Sequence, residues 1–139
     1  MALVEQQREV ISGSIPVAVG LVSGQSEPDQ WKDKKVWIKL LEDHPIMVST
    51  PQILLDALRH GFLTLGDVSL LVFDEAHHAT SKHPYNVIMQ DFYFKLPPRR
   101  NSSDTSPGVR PMVLGLTASP VYGGDIVKAF RYWSRCVNQ

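Results

Sequence analysis

Four short apolar runs punctuate the chain: Val17-Ala18-Val19-Gly20-Leu21-Val22, Ile46-Met47-Val48, Leu70-Leu71-Val72-Phe73 and Met112-Val113-Leu114-Gly115-Leu116. None alternates polar with apolar residues. Continuous apolar strands of this kind predict burial on both faces, as in a parallel sheet flanked by helices. Helical periodicity fills the intervals. Leu3, Val4, Gln7, Val10 and Ile11 form one stripe, and Trp37, Leu40 and Leu41 recur at helical spacing within Trp31 to Glu42. Leu54, Leu55 and Leu58 share a face over Ile53 to His60, which ends at Gly61, a C-terminal cap. Tyr85 to Lys95 and Asp125 to Trp133 complete the predicted helices. Strand and helix alternate, so the fold class is α/β with crossover connections.

The segment Pro97 to Gly108 carries few structure signals and is expected to be a long flexible surface loop, extending around 97–110. Ser23 to Asp29 is a shorter polar loop of the same kind. Trp31, Trp37 and Trp133 are read as core aromatics, and Tyr85, Phe92, Tyr93 and Phe94 as packing residues. His44, His60 and His83 are read as isolated surface or packing residues. His77, His78 and His83 make no convincing zinc set without cysteine.

Size and charge narrow the classes. At 139 residues the chain fits one domain, and 43% hydrophobic residues supply a core. Fourteen basic and fourteen acidic residues cancel, which excludes a polybasic arm and a highly charged disordered tail. A local nucleic-acid patch remains compatible with that balance. One cysteine, Cys136, allows neither an internal disulfide nor a cysteine-rich zinc module, so a reducing, intracellular compartment (cytoplasm or nucleus) is expected. No signal-peptide centre and no membrane-length apolar run is present, so no membrane partner is expected.

The sharpest chemical feature is Leu70-Leu71-Val72-Phe73-Asp74-Glu75-Ala76-His77, an apolar strand that stops at two adjacent carboxylates. Ligands of open α/β sheets bind beyond the carboxyl ends of strands. There one carboxylate can hold Mg²⁺ while its neighbour orients or deprotonates water, the pair that nucleoside triphosphate hydrolysis requires. A bare Asp-Glu is better read as a charged strand end with Asp74 capping the helix that follows, and Ala76-His77 with the distant partners shift that reading. A second apolar strand, Leu114-Gly115-Leu116, ends in Thr117-Ala118-Ser119, whose hydroxyls can reach His77 or Asp74, or simply cap a helix. At Val48-Ser49-Thr50-Pro51-Gln52 a strand enters a helix with Thr50 at the N-cap and Pro51 at the first helical position. The amides of such a start suit a phosphate, and ordinary capping explains the same residues.

Taken in order, Ala2-Leu3-Val4-Glu5-Gln6-Gln7, Ser49-Thr50-Pro51-Gln52, Asp74-Glu75-Ala76-His77 and Thr117-Ala118-Ser119 resemble motifs Ia, Ib or Ic, II and III of the first RecA-like domain of superfamily 2 DExD/H-box helicases. Pro51 to Gly61, Asp74 to Ala79, His83-Pro84-Tyr85-Asn86 and Leu114 to Pro120 are similar to the helicase region of Dicer-like ribonucleases, the fungal ones especially. The resemblance covers nearly the whole chain and implies a partial helicase ATP-binding domain over residues 1–139, in a parallel, helix-flanked sheet. It implies that Asp74 coordinates the Mg²⁺ of Mg-ATP, that Glu75 activates the attacking water, and that His77 couples motif II to Thr117 and Ser119. It further implies that Gln6, Thr50, Pro51 and Gln52 hold the RNA backbone without reading sequence. Double-stranded RNA, the remaining helicase domain and ribonuclease III domains are the implied partners.

The family's Gly-rich phosphate loop with Gly-Lys-Thr occurs nowhere in the sequence, and Gly123-Gly124-Asp125 lacks the Lys-Ser/Thr that would follow. The expectation is therefore a fragment whose ATP hydrolysis resides in a longer parent and which, alone, binds no nucleotide tightly. A non-catalytic remnant that binds RNA or a protein is the alternative, and a DNA translocase a third. The strand that precedes motif Ia in the family, and lies beside the motif III strand in its sheet, is also absent from the sequence, and its loss is expected to leave Met112 to Leu116 as an apolar open edge.

Overall fold

A computed structural model of the chain describes residues 3–23, 33–78 and 82–118. The chain divides into two compact units, Met1–Thr64 and Leu65–Gln139.

The first unit carries α1 (Leu3–Ser14), β1 (Val19–Val22), α2 (Lys34–Asp43), β2 (Ile46–Ser49) and α3 (Pro51–Arg59). β1 and β2 pair in parallel, Val19 opposite Ile46 and Val22 opposite Ser49. The helix boundaries follow from local chemistry. Asp33 accepts from the Lys35 amide at 2.9 Å and starts α2, while His44 closes it through its own amide to the Leu40 carbonyl. Pro51 occupies the first turn of α3, where no amide donor is needed. α3 ends in a Schellman turn: the Phe62 amide reaches the Ala57 carbonyl at 3.0 Å and the Gly61 amide the Leu58 carbonyl at 3.1 Å. Gly61 takes φ +68° to allow it. The core gathers Val22, Trp37 and Ala57, with Leu40, Met47, Ile53, Phe62 and Leu63 against them. Gly20 is required by close approach, since a Cβ there would lie 2.5 Å from Met47 Sδ and 3.0 Å from His44 Cβ.

The second unit carries β3 (Leu70–Phe73), α4 (Pro84–Ile88) and β4 (Met112–Gly115), with single 3₁₀ turns at Leu65–Asp67 and Ala76–His78. β3 and β4 are parallel, Leu70 opposite Met112 and Phe73 opposite Gly115. All four apolar runs therefore become strands in parallel pairs. The predicted helix over Tyr85 to Lys95 begins as α4 and widens into a π turn over Met89–Tyr93. Arg110 holds the end of that turn, donating to the Leu96 and Phe94 carbonyls at 2.9 and 3.0 Å. Leu65, Leu71, Phe73, Ala76, Ile88 and Met89 are buried.

Burial of both strand faces does not hold here. Leu71 and Phe73 are buried, whereas Leu70 and Val72 are 48% and 46% exposed. Met112, Val113 and Leu114 are exposed as well, and Leu116 beyond the strand end likewise. β3 is therefore continuous in sequence but buried on one side only, and β4 is exposed on both at Met112, Val113 and Leu114. The segment after Leu96 forms no helix or strand up to Pro111. It is built of hydrogen-bonded turns: Asp104 accepts from the Arg100 and Ser106 amides, and hydrogen bonds led by Ser106 lower its carboxyl to about 2. The helix expected over Asp125 to Trp133, together with Trp31, Trp133 and Ser119, lies outside the described residues.

Candidate functional site

The carboxyl ends of β3 and β4 lie side by side because the strands are parallel and in register to Phe73 and Gly115. Beyond them the backbone stays joined. The Leu116 amide donates to the Phe73 carbonyl at 2.8 Å, and the Ala76 amide to the Leu116 carbonyl at 2.8 Å. This double tie draws Asp74-Glu75-Ala76-His77 against Leu116-Thr117. His77 Nδ1 lies 2.9 Å from Thr117 Oγ1 and 3.1 Å from Glu75 Oε2. With the proton on Nδ1, one N–H is shared between a hydroxyl and a carboxylate. The hydroxyl contact is half-buried and contributes about 0.5–1.5 kcal/mol net. Glu75 is 46% exposed, so its contact with His77 is screened by solvent and adds at most ~1 kcal/mol.

Asp74 and Glu75 are both half-buried. Asp74 Oδ1 accepts from the Glu75 amide at 2.9 Å. Glu75 has φ +49° and is the one non-glycine with positive φ among the described residues. An L-residue held there costs about 1–2 kcal/mol, and such residues cluster at functional sites. The sequence offered no sign of this twist.

Two residues set aside in the sequence reading prove to belong to this constellation. Tyr85 packs its ring on Phe73, with centroids 4.5 Å apart, and its hydroxyl donates to the Asp74 carbonyl at 2.8 Å. Burial foremost, then the Asp74 and Glu75 charges, raise the Tyr85 pKa, which keeps the hydroxyl a donor. His83 is not isolated: its Nδ1 accepts from the Tyr85 amide at 3.2 Å and caps α4. Its ring lies 4.7 Å from Tyr85 and 5.9 Å from His78, which in turn sits 4.1 Å from His77. Burial first, then His78, lower the His83 pKa. The available signal was His83-Pro84-Tyr85 itself, a proline-started helix shortly after the acidic turn.

The other candidates lie in the first unit. Gln6 is exposed on α1. Thr50 is the N-cap of α3 by backbone geometry and makes no side-chain cap hydrogen bond, and Pro51 follows it. Gln52 donates its amide to Asp56 at 2.8 Å, a contact along the helix. Ser119 lies outside the described residues, so of the expected hydroxyl pair only Thr117 is placed beside His77.

The donors suit a hard cation that keeps most of its water. Two carboxylates at a strand end supply oxygen ligands, and Mg²⁺ takes one or two of these plus phosphate oxygens. Among the described residues no group of three or more His, Cys, Asp or Glu side chains stands ready to cage a metal alone. No described helix is long and apolar enough to cross a membrane.

The DEAD/DEAH box helicase family matches residues 1–120. Dicer-like protein 2 of Aspergillus fumigatus is 41% identical over 122 residues, which are 87% of this chain and 8% of that protein. Dicer-like protein 2 of Coccidioides immitis is 46% identical over 121 residues, 86% of this chain and 8% of that one. Endoribonuclease Dicer homolog 2b of Oryza sativa subsp. japonica is 41% identical over 126 residues, 91% and 9% of the two chains. The chain thus spans less than a tenth of the length of these relatives. The Pyrococcus furiosus Hef helicase domain superposes with a TM-score of 0.67 at 26% identity, covering 98% of this chain and 25% of that one. With its parallel strands, its flanking helices and an Asp-Glu-Ala-His turn tied to Thr117, the chain belongs to the DEAD/DEAH box helicases and is an N-terminal, RecA-like helicase domain similar to that of Dicer-like proteins.

Proposed function

We propose that residues 1–139 are a partial ATP-binding domain of a double-stranded-RNA helicase or translocase belonging to a Dicer-like endoribonuclease. Asp74 holds the Mg²⁺ of Mg-ATP through its carboxylate, and Glu75 orients and deprotonates the attacking water. Bound Mg²⁺ supplies charge neutralisation at the transferring phosphoryl group. His77 links Glu75 to Thr117, so a change at the nucleotide is felt at the end of β4, and Ser119 extends that link. Gln6, Thr50, Pro51 and Gln52 hold the RNA backbone. The uncapped Thr50 side chain at the start of α3 supports this, because amides at a helix start suit a phosphate. Ribonuclease III domains and the second RecA-like domain are the partners in the parent protein, and a reducing intracellular compartment is its place.

The observation that carries the reading is the 2.9 Å contact between His77 Nδ1 and Thr117 Oγ1, with Glu75 at 3.1 Å on the same nitrogen. Two motifs forty residues apart meet on one ring. The test is ATP turnover with double-stranded RNA, measured on the chain alone and with a relative's Gly-Lys-Thr segment fused ahead of Met1 and its second RecA-like domain fused after Gln139. Turnover is expected in the fusion, to be stimulated by double-stranded RNA over DNA, and to vanish in Glu75→Gln. Turnover indifferent to Glu75→Gln sinks the assignment.

A further inference from the structure

The peptide that joins Asp74 to Glu75 is gripped at both ends. Its N–H donates to Asp74 Oδ1 at 2.9 Å, and its C=O accepts from the Tyr85 hydroxyl at 2.8 Å. This is the peptide plane whose orientation sets the positive φ of Glu75. A flip of that plane would return Glu75 to negative φ and would turn its amide away from Asp74 Oδ1 and the Asp74 carbonyl away from Tyr85. The Asp74 end of the grip is internal to the turn and uses a carboxylate that metal binding would also claim. The Tyr85 end is anchored elsewhere: the ring is seated on buried Phe73, and its backbone amide is capped by His83. Tyr85 is the second residue of α4, directly after Pro84, whose fixed φ limits the chain's freedom to drift.

We infer that Tyr85 is a positioning residue for the hydrolytic carboxylate: its hydroxyl locks the Asp74–Glu75 peptide in the orientation that holds Glu75 at positive φ beside His77. Tyr85 acts through the backbone of Asp74 and Glu75. Its relevance to turnover rests on the function proposed above, but the backbone lock itself is testable without it.

The test is Tyr85→Phe, which keeps the ring on Phe73 and removes the hydroxyl, with Tyr93→Phe as the control that removes a hydroxyl from the π turn. In the full chain, NMR of the wild type is expected to give Glu75 the strong intraresidue amide-to-Hα NOE of a positive-φ residue. In Tyr85→Phe that NOE falls at least about twofold as the flipped peptide becomes populated, while Tyr93→Phe leaves it unchanged. A weak Glu75 NOE in the wild type, or an undiminished one in Tyr85→Phe, overturns the inference. In the turnover-competent fusion, Tyr85→Phe is expected to lower kcat about tenfold with KM for Mg-ATP within about twofold. An unchanged kcat also overturns it. A fusion without any turnover in the wild type sinks the proposed function and leaves the NOE to decide the lock.

Discussion

Glu75 offers a sharp test of the site's geometry, because its backbone conformation reverses a familiar rule. At φ +49° a Cβ collides with the following carbonyl, which costs about 1–2 kcal/mol. Glu75→Ala keeps that cost and gives up only the contact with His77, which is solvent-screened and contributes at most ~1 kcal/mol. Glu75→Gly loses the same contact and removes the collision, at the expense of about 0.5–1 kcal/mol of extra unfolded-state entropy. The His77 contact cancels between the two variants. Glycine should therefore be the more stable by about 0.5–1 kcal/mol. With a urea m-value of about 1–3 kcal/mol/M, the midpoints separate by roughly 0.2–1 M. The same pair at Lys39, exposed inside α2, should invert: Lys39→Gly is expected to lie about 1 kcal/mol below Lys39→Ala. Urea unfolding of the four variants, followed by circular dichroism, reads both signs. Glu75→Ala equal to or more stable than Glu75→Gly would refute the positive φ and, with it, the carboxylate geometry built on it.

Three further outcomes follow from particular contacts. A double-mutant cycle of His77→Ala and Thr117→Val should show a coupling of about 0.5–1.5 kcal/mol in urea unfolding; effects that add within about 0.3 kcal/mol would deny the contact. His83 is held neutral in the fold, with its pKa lowered by burial and by His78, while the unfolded imidazole takes up a proton near 6.5. The stability it contributes is complete above that value and lost as the pH falls through it toward the lowered folded pKa. His83→Asn, which can still cap α4 but does not titrate, should flatten the drop in urea midpoint between about pH 7.5 and about pH 5.5, and an identical slope in both proteins would count against the cap. Gly20→Ala should destabilise the first unit by about 1–3 kcal/mol through overlap with Met47 and His44; a variant as stable as the wild type in thermal unfolding would show that Met47 simply moves aside.

Much of the architecture was readable along the chain. Each apolar run became a strand, and the helix limits at Asp33, Pro51 and Gly61 follow from a carboxylate that caps, a proline that needs no donor and a glycine that accepts positive φ. The acidic turn and its partner hydroxyl could also be named, since a strand that stops at two carboxylates carries its chemistry in its own text. Burial did not follow in the same way. Leu70 and Val72 read like Leu71 and Phe73 in sequence, yet only the latter two are covered, because coverage depends on which elements pack on each face.

The sequence by itself therefore determined the strand–helix order, the caps and the chemical types at the site, because each rests on interactions between residues a few positions apart. The tertiary structure decided the rest. Only the register of β3 with β4 brings Thr117 to His77, and only the packing of α4 on Phe73 lets Tyr85 reach the Asp74 carbonyl. The left-handed turn at Glu75 is imposed in the same way: no local preference of glutamate selects it, and it persists because hydrogen bonds with the Tyr85 hydroxyl, the Asp74 carboxylate and the Leu116 backbone hold the surrounding backbone in place.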